Sequence, residues 1–363
     1  MKRIILNVFL ILTICILQIC AFSCVKNSEE IYEAMKSGVV LIKVDRHHVL
    51  TFPDGNKMYF TGLEAGGALE NITSSPDSIV ASTGYGTGFL ISEKGEIATA
   101  HHVIANTIDK EEVRNVIRST IDYEINKLSD EYDQMAELLY QLNKRQEEIR
   151  NDLYFYDQEE DLKTEIYINV LEERLEEHRR QYMSLMSIDP SRFDVSSVAT
   201  IGIAYNDTHI TSNSDFKSCV IIKEDEKNDL AVLQLKDKTT PPDKYVFRVP
   251  LSDPLEKYSF TEDMLRHIQK DKNEQLYLIG FNLGPSLALT TEGLMAQINQ
   301  GNISQKQNSR LIYSIPALPG SSGAPVVNSI GELVAINHAG LSNTQSFNYG
   351  IRVDLLRKLL ERK

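Results

Sequence analysis

The heptapeptide Pro319-Gly320-Ser321-Ser322-Gly323-Ala324-Pro325 stands between the apolar run 311–315 and the strand-like pair Val326-Val327. A serine hydroxyl is a weak nucleophile at neutral pH, and it becomes reactive beside a base and facing donors that stabilise an oxyanion. The flanking glycines allow a tight turn that directs backbone N–H groups into one small space. Because such turns also occur as plain loops between strands, the interpretation depends on whether the chain supplies a base and an acid.

A histidine and an aspartate elsewhere in the chain complete the pattern. A glycine-flanked strand, a turn and a second strand lead to His101 and His102. Histidine is the side chain best suited to accept a serine proton near pH 7. Asp229 stands directly before a β-rich run, where a buried carboxylate would hold the imidazole tautomer. The order along the chain is therefore histidine, aspartate, serine.

At these residues the chain resembles the trypsin-like serine peptidases of the chymotrypsin fold, most closely the HtrA/Deg and glutamyl-endopeptidase branches. Thr99-Ala100-His101-His102 is similar to the family's Thr-Ala-Ala-His, and Asp229-Leu230-Ala231 to its Asp-[Ile/Leu]-Ala. The segment from Gly320 to Pro325 is similar to its Gly-x-Ser-Gly-[Gly/Ser]-Pro. The resemblance covers residues 38–105 and 196–360, and the segment between them is foreign to it.

The resemblance implies hydrolysis of protein or peptide substrates through an acyl-enzyme. Ser322 would attack, His102 would transfer the proton, and Asp229 would orient the imidazole. Backbone N–H groups of Gly320 and Ser322 would form the oxyanion hole, and neither a metal nor an organic cofactor is required.

Alternatives remain for each role and for the function as a whole. His101 rivals His102 and Ser321 rivals Ser322, but the motif register favours the second residue of each pair. Asp225 lacks the apolar run that would bury it. The competing function is an idle, peptidase-derived scaffold that binds a partner or transmits a signal.

The resemblance also implies a specificity pocket. Pro316, six residues before the nucleophile, would lie at its base, and the opposite wall would come from Asn337, His338 and Ala339. Because a proline supplies no acid, a preference for arginine or lysine is not expected. His338 permits acidic substrates, but one donor seldom offsets the desolvation of a buried carboxylate, so small or medium apolar residues are favoured.

The chain changes character between Gly95 and Gly202, where no further glycine and a single proline occur. Aliphatic residues recur there at helical spacing and predict an antiparallel helical hairpin, with arms of roughly 40 and 30 residues. Two heptad seams comprise Leu128, Tyr132, Met135, Leu139, Leu142, Gln146, Ile149 and Leu153, then Ile168, Leu171, Leu175, His178, Tyr182 and Leu185. Residues 109–187 hold 21 acidic and 11 basic residues and contribute −10 of the net charge of −13.

Charge and histidine spacing restrict the partners. A net negative chain argues against nucleic acid, which calls for a basic patch. The acidic hairpin is interpreted as a solvated helix surface, and the alternative is an acidic binding site for a basic partner protein. Control of oligomerisation by the hairpin is a separate alternative. No further residue accompanies His47 and His48 at the sequence spacing of a metal site. A solvated loop or strand end is therefore expected for both.

The first 23 residues combine a basic start, an apolar stretch and small residues near a cut site, which is typical of a secretory signal peptide. Export to the periplasm, the cell envelope or the medium is therefore expected. Lipid attachment to Cys24 is one alternative, although Ala21 replaces the usual leucine of a lipobox, and an uncleaved anchor helix is another. No disulfide framework is expected, because Cys219 lies alone in a predicted strand.

The sequence thus predicts a mostly β protein of two antiparallel six-stranded barrels, with the helical hairpin inserted in the first barrel. The remaining length leaves no room for a PDZ domain. The predicted divisions are the signal peptide 1–23, the first barrel 24–105 and 196–240, the inserted hairpin 106–195, and the second barrel with a terminal helix 241–363.

Overall fold

The computed structural model of the protein describes residues 26–151, 154, 156–255, 275–340 and 347–362. The predicted signal segment, Cys24 and the seam residue Leu153 lie outside these residues. Within the described ranges, no helix combines the length and the apolar character needed to cross a membrane.

A closed barrel forms around the N-terminal strands, as predicted. Helix α1 (Ser28–Met35) precedes it and α2 (His101–Ile104) follows its sixth strand. The strands of this part are β1 (Val39–Thr51), β2 (Lys57–Phe60), β3 (Gly62–Leu63), β4 (Leu69–Glu70), β5 (Ser82–Leu90), β6 (Glu96–Ala100), β7 (Asp194–Tyr205), β8 (Lys217–Asp225) and β9 (Leu230–Leu235). Of these, β3 and β4 form a separate two-stranded sheet. The sheet order is β2-β1-β5-β6-β9-β8-β7, and a β1–β7 pairing closes six of the strands. Alternate residues of β1, Val40, Ile42 and Val44, point into the same buried cluster.

The predicted hairpin consists of α3 (Lys110–Asn151) and α4 (Gln158–Met186), which have 42 and 29 residues. The carboxylates of Asp109 and Asp157 accept N–H groups in the first turns of the two helices. The predicted seam is only partly buried: four of its described residues are buried, whereas Tyr132 is 40% exposed. The buried four are Ile149, Ile168, Leu171 and Leu175.

The root of the hairpin packs on the strands next to it. Val113 of α3 belongs to one buried cluster with Leu50, Phe60, Phe193 and Val195. The chain accordingly divides into two compact units: one is Met1–Arg46, Ser82–Asn106 and Ala199–Lys363, and the other is His47–Ala81 and Thr107–Val198. The hairpin therefore shares its unit with β2, β3 and β4.

The expectation of a solvated site was wrong for His48. Its side chain is 6% exposed, its Nδ1 lies 2.9 Å from the Ser197 hydroxyl, and its ring packs on Phe60. The reason is the length of β1, which continues for 13 residues and turns His48 inward. Burial lowers the pKa of the His48 imidazole.

The second barrel is also closed and six-stranded, in the order β10-β13-β14-β17-β16-β15. The C-terminal elements are β10 (Gln275–Gly280), α5 (Pro285–Ala288), β11 (Leu289–Thr290), β12 (Gly293–Leu294), β13 (Gln297–Lys306), β14 (Arg310–Tyr313), β15 (Pro325–Asn328), β16 (Leu333–Gly340), β17 (Asn348–Arg352) and α6 (Val353–Glu361). Leu278, Leu311, Tyr313 and Val326 fill its interior. The nucleophile loop lies between β14 and β15.

Candidate active site

Strand pairing brings the predicted base and its acid together. His102 follows β6 and Asp229 precedes β9, and these two strands are antiparallel neighbours in which Ala100 is opposite Leu230. A residue that follows one strand and a residue that precedes its antiparallel neighbour lie at the same end of the strand pair. The His102–Asp229 juxtaposition therefore follows from the register of β6 on β9.

Asp229 holds His102 through two hydrogen bonds. The His102 N–H donates to Oδ1 of Asp229 across 2.8 Å, and the His102 Nδ1–H donates to Oδ2 across 2.8 Å. Asp229 itself adopts a left-handed backbone conformation, with φ of 53° and ψ of 46°. Because Nδ1 carries the donated hydrogen, Nε2 of the neutral ring is the nitrogen with a free lone pair.

A second imidazole contacts the same carboxylate. Nδ1 of His338 forms a hydrogen bond to Oδ2 of Asp229, and its ring lies edge-to-face on that of His102 with centroids 4.8 Å apart. Burial acts to raise the pKa of the Asp229 carboxyl, but the hydrogen bonds from His102 and His338 outweigh it and hold the pKa well below its usual range. Asp229 is therefore an anion under all ordinary conditions.

The three side chains of this cluster also have metal-ligand chemistry. Among the described residues, His102, Asp229 and His338 are the group of three whose ligand atoms all lie within 4.8 Å of one another. Since both Nδ1 atoms donate to the carboxylate, neither directs a lone pair at the centre of the group. The hydrogen bonds account for the cluster without a metal ion.

Two glycines with positive φ shape the nucleophile loop, Gly320 at 96° and Gly323 at 85°. A Cβ on Gly320 would lie 2.5 Å from the carbonyl oxygen of Phe281, and one on Gly323 would lie 2.1 Å from that of Thr87. Only glycine combines this backbone conformation with such close approach. The loop is thereby pressed against its surroundings.

The loop leaves two N–H groups available. Within the described part of the chain, the N–H groups of Gly320 and Ser322 donate to no acceptor. The Ser322 hydroxyl donates to the carbonyl oxygen of His338 across 2.7 Å. Among the described residues, it makes no hydrogen bond to His102. Hydroxyl–imidazole contacts are often loose in the absence of substrate and tighten on binding.

The rival residues have other partners. Ser321 is 1% exposed and its hydroxyl donates to the Leu318 carbonyl. His101 faces Glu224, with 3.6 Å between Nε2 and Oε2. Contrary to the expectation, Asp225 is buried, and it accepts from the N–H and the side chain of Asn228 in the turn before Asp229. Each of the three rival side chains is thus engaged with a group outside the proposed triad.

Asn337 and His338, predicted to form a wall of the specificity pocket, make other contacts. The buried Asn337 amide donates to the Ser321 carbonyl and its oxygen accepts from the Tyr313 hydroxyl, so this side chain braces the loop. The His338 side chain contacts Asp229 rather than forming a separate wall of the specificity pocket. Pro316 is exposed. The side chain of Ala339 lies outside the described part of the structure.

Two contacts with the site were absent from the sequence analysis, those of Thr87 and of the His338 side chain with Asp229. Thr87 lies in β5, and its hydroxyl donates to the Gly320 carbonyl across 2.7 Å. No local pattern distinguishes this threonine from other strand threonines. His338 was singled out, but strand alternation alone does not reveal which ionisable partner a side chain will meet.

Comparisons with known proteins relate part of the chain to a protein family. Residues 191–336 match the family model of the trypsin-like peptidase domain, a range that includes Asp229 and Ser322. This match confirms the resemblance to trypsin-like peptidases. Among solved structures, the chain is similar to a serine endoprotease from Yersinia pestis at 14% identity, covering 93% of this chain and 67% of that one with a TM-score of 0.42. A search of curated protein sequences returned no match.

Proposed function

We propose that the protein is a serine endopeptidase that cleaves peptide bonds through an acyl-enzyme. The observation that carries this proposal is the His102–Asp229 pair, doubly hydrogen-bonded at 2.8 Å, in the same compact unit as the Ser322 loop with its two unengaged N–H groups. An imidazole held in one tautomer by a buried carboxylate is the arrangement that activates a serine. The match to the trypsin-like peptidase domain supports the same class of reaction.

In the proposed reaction, the Ser322 hydroxyl turns from the His338 carbonyl to Nε2 of His102 as substrate binds. Its Oγ attacks the carbonyl carbon of the scissile bond while its proton passes to His102, and the oxyanion accepts from the N–H groups of Gly320 and Ser322. His102 then protonates the leaving amine, the C–N bond breaks, and an ester on Ser322 remains. Water, deprotonated by His102, hydrolyses the ester and restores the serine.

The test is labelling with a fluorophosphonate, which reacts with an activated serine. We expect the wild-type protein and the matched control Ser321→Ala to be labelled, and Ser322→Ala to remain unlabelled. Peptidase activity should fall by roughly 10⁴–10⁶-fold in Ser322→Ala, and by a comparable order in His102→Ala and Asp229→Asn, because triad members act as a unit. A folded wild-type protein that takes no label would instead support the idle scaffold.

Export and substrate preference belong to the same proposal. Residues 1–23 would direct the protein across a membrane, which the N-terminal sequence of the mature protein tests. Because Pro316 offers no acid, cleavage after small or medium apolar residues is proposed over cleavage after arginine or lysine. Matched peptides that vary only before the cut would decide this, and fastest cleavage after a basic residue would contradict it.

A further inference from the structure

His338 lies at the centre of the site without a role in the reaction described above. Its carbonyl oxygen accepts from Ser322, sixteen residues before it, and its Nδ1 contacts the catalytic carboxylate. The ring is fixed on its other side by Tyr349, with centroids 4.6 Å apart and planes tilted by 31°. With the edge-to-face contact of its ring on His102, this one residue touches all three residues assigned to catalysis.

We propose that His338 is a positioning residue that holds Asp229 in the orientation His102 needs. This inference rests on the proposed peptidase function. A carboxylate held only by His102 can rotate about its own bond when that imidazole moves toward substrate. The Nδ1–H of His338 is a second, fixed donor to Oδ2, so the carboxylate keeps its plane while His102 changes its proton.

The hydrogen-bond count of the carboxylate supports this role. Asp229 accepts the backbone N–H and the Nδ1–H of His102 and the Nδ1–H of His338. The side chain of Asp229 is 18% exposed, which limits its contact with water. Three donors on a poorly hydrated carboxylate define its position more narrowly than two.

Ionisable and aromatic side chains surround the His338 ring. A cavity of about 70 Å³ beside it is lined by Lys227, Arg310 and Tyr349 as well as by Asp229. The guanidinium of Arg310 lies over the Tyr349 ring, 4.8 Å from its centroid. Tyr349 thus contacts both Arg310 and the His338 ring, and these contacts restrict the position of the His338 donor.

The positioning role and the pocket role expected from the sequence predict different kinetics. A positioning residue affects the chemical step for every substrate, so kcat falls and KM stays nearly constant. A pocket residue affects only substrates with an acidic side chain before the cut. The discriminating pair is His338→Phe, which keeps a ring on Tyr349 without a donor, and His338→Asn, which keeps a donor.

We expect His338→Phe to lower kcat by roughly 10–100-fold on alanyl, leucyl and glutamyl substrates alike, as a small misplacement of a catalytic group does. His338→Asn should recover most of that loss. The acid limb of the pH–kcat profile should shift in His338→Phe and return toward wild type in His338→Asn. The exposed His209→Phe serves as the control and should match wild type in each measurement. An unchanged kcat in His338→Phe, or a loss confined to glutamyl substrates, would overturn the proposal.

A spectroscopic measurement requires neither activity nor a change at His338. In the ¹⁵N-histidine-labelled Ser322→Ala protein, both the His102 and the His338 Nδ1–H should give low-field proton signals. If the wild-type protein takes the label on Ser322 but the His338 signal is missing, the result contradicts this inference and leaves the proposed function standing. A wild-type protein that takes no label contradicts the proposed function.

Discussion

The hydroxyl of Thr87 donates to the carbonyl oxygen of Gly320 across 2.7 Å and accepts from the N–H of Phe281 across 3.0 Å. The backbone N–H of the same threonine donates to the Ser322 carbonyl at 2.8 Å. Thr87 is fully buried. One strand residue of the first barrel therefore fixes both ends of the segment that would supply the oxyanion donors.

Thr87→Val tests this connection because valine has nearly the same shape and lacks the hydroxyl. A buried carbonyl and a buried N–H lose their partner, so the free energy of unfolding should fall by about 1–3 kcal/mol. Fluorophosphonate labelling should slow as well, since the loop is less firmly held. Urea denaturation measures the first effect, with Thr87→Ser as the variant that retains the hydroxyl. The exposed strand variant Thr200→Val should stay within about 0.5 kcal/mol of wild type, and a Thr87→Val protein as stable as that control would refute the role.

Two glycines with nearly equal φ separate backbone strain from steric contact. Gly55 has φ of 89° and open space around it, whereas a Cβ on Gly323 would lie 2.1 Å from the Thr87 oxygen and 2.2 Å from the Thr99 hydroxyl. Gly55→Ala should cost about 1–2 kcal/mol, the strain of a left-handed alanine. Gly323→Ala should cost clearly more, because its neighbours must also move. Equal losses in urea denaturation would contradict the close packing of the loop.

The hairpin can be shortened more safely in its middle than at its root. Glu131 and His178 face each other across the two arms at 3.1 Å, so a short Gly-Ser linker can replace residues 132–177. This protein should keep wild-type labelling of Ser322. Replacement of 109–187 should lower stability, because it also removes Val113 from its cluster with Leu50 and Phe60.

Val113→Ala isolates the contribution of the root. The loss of two buried methyl groups should cost about 2 kcal/mol in the free energy of unfolding. The matched control is Val170→Ala on α4, where the side chain is 46% exposed and the cost should stay below about 0.5 kcal/mol. Similar values for the two variants in urea denaturation would contradict the packing described for the root.

The pKa of Asp229 predicts how its contribution to stability depends on pH. Because the folded-state pKa lies below the ordinary value of 3.8, the ionised carboxylate stabilises the fold at and above that pH. The contribution is lost as the pH falls through the folded-state pKa. The stability difference between wild type and Asp229→Asn should therefore be largest near neutral pH and shrink in acid. Urea denaturation at a series of pH values measures it, and a difference that grows in acid would have the wrong sign.

The sequence was informative where the determinants are local. The alternation in the barrel strands, the heptad spacing of α3 and α4, and the caps at Asp109 and Asp157 all lie within short windows. The three residues of the proposed triad were singled out because each follows or precedes a recognisable strand. The contacts around them could not be predicted, because they depend on how distant strands register against each other. Thr87 and Gly320 are 233 positions apart, and Asp229 and His338 are 109 apart.

The division of the chain into two units has a consequence for how the protein can change. His102, Asp229 and Ser322 all fall in one unit, whereas the hairpin and most of the net charge fall in the other. Mutations that remodel the hairpin beyond Val113 do not touch a residue of the proposed chemistry. The hairpin should therefore be replaceable by antiparallel hairpins from other proteins. In a library of such replacements, retained labelling of Ser322 would identify the variants whose barrels still fold.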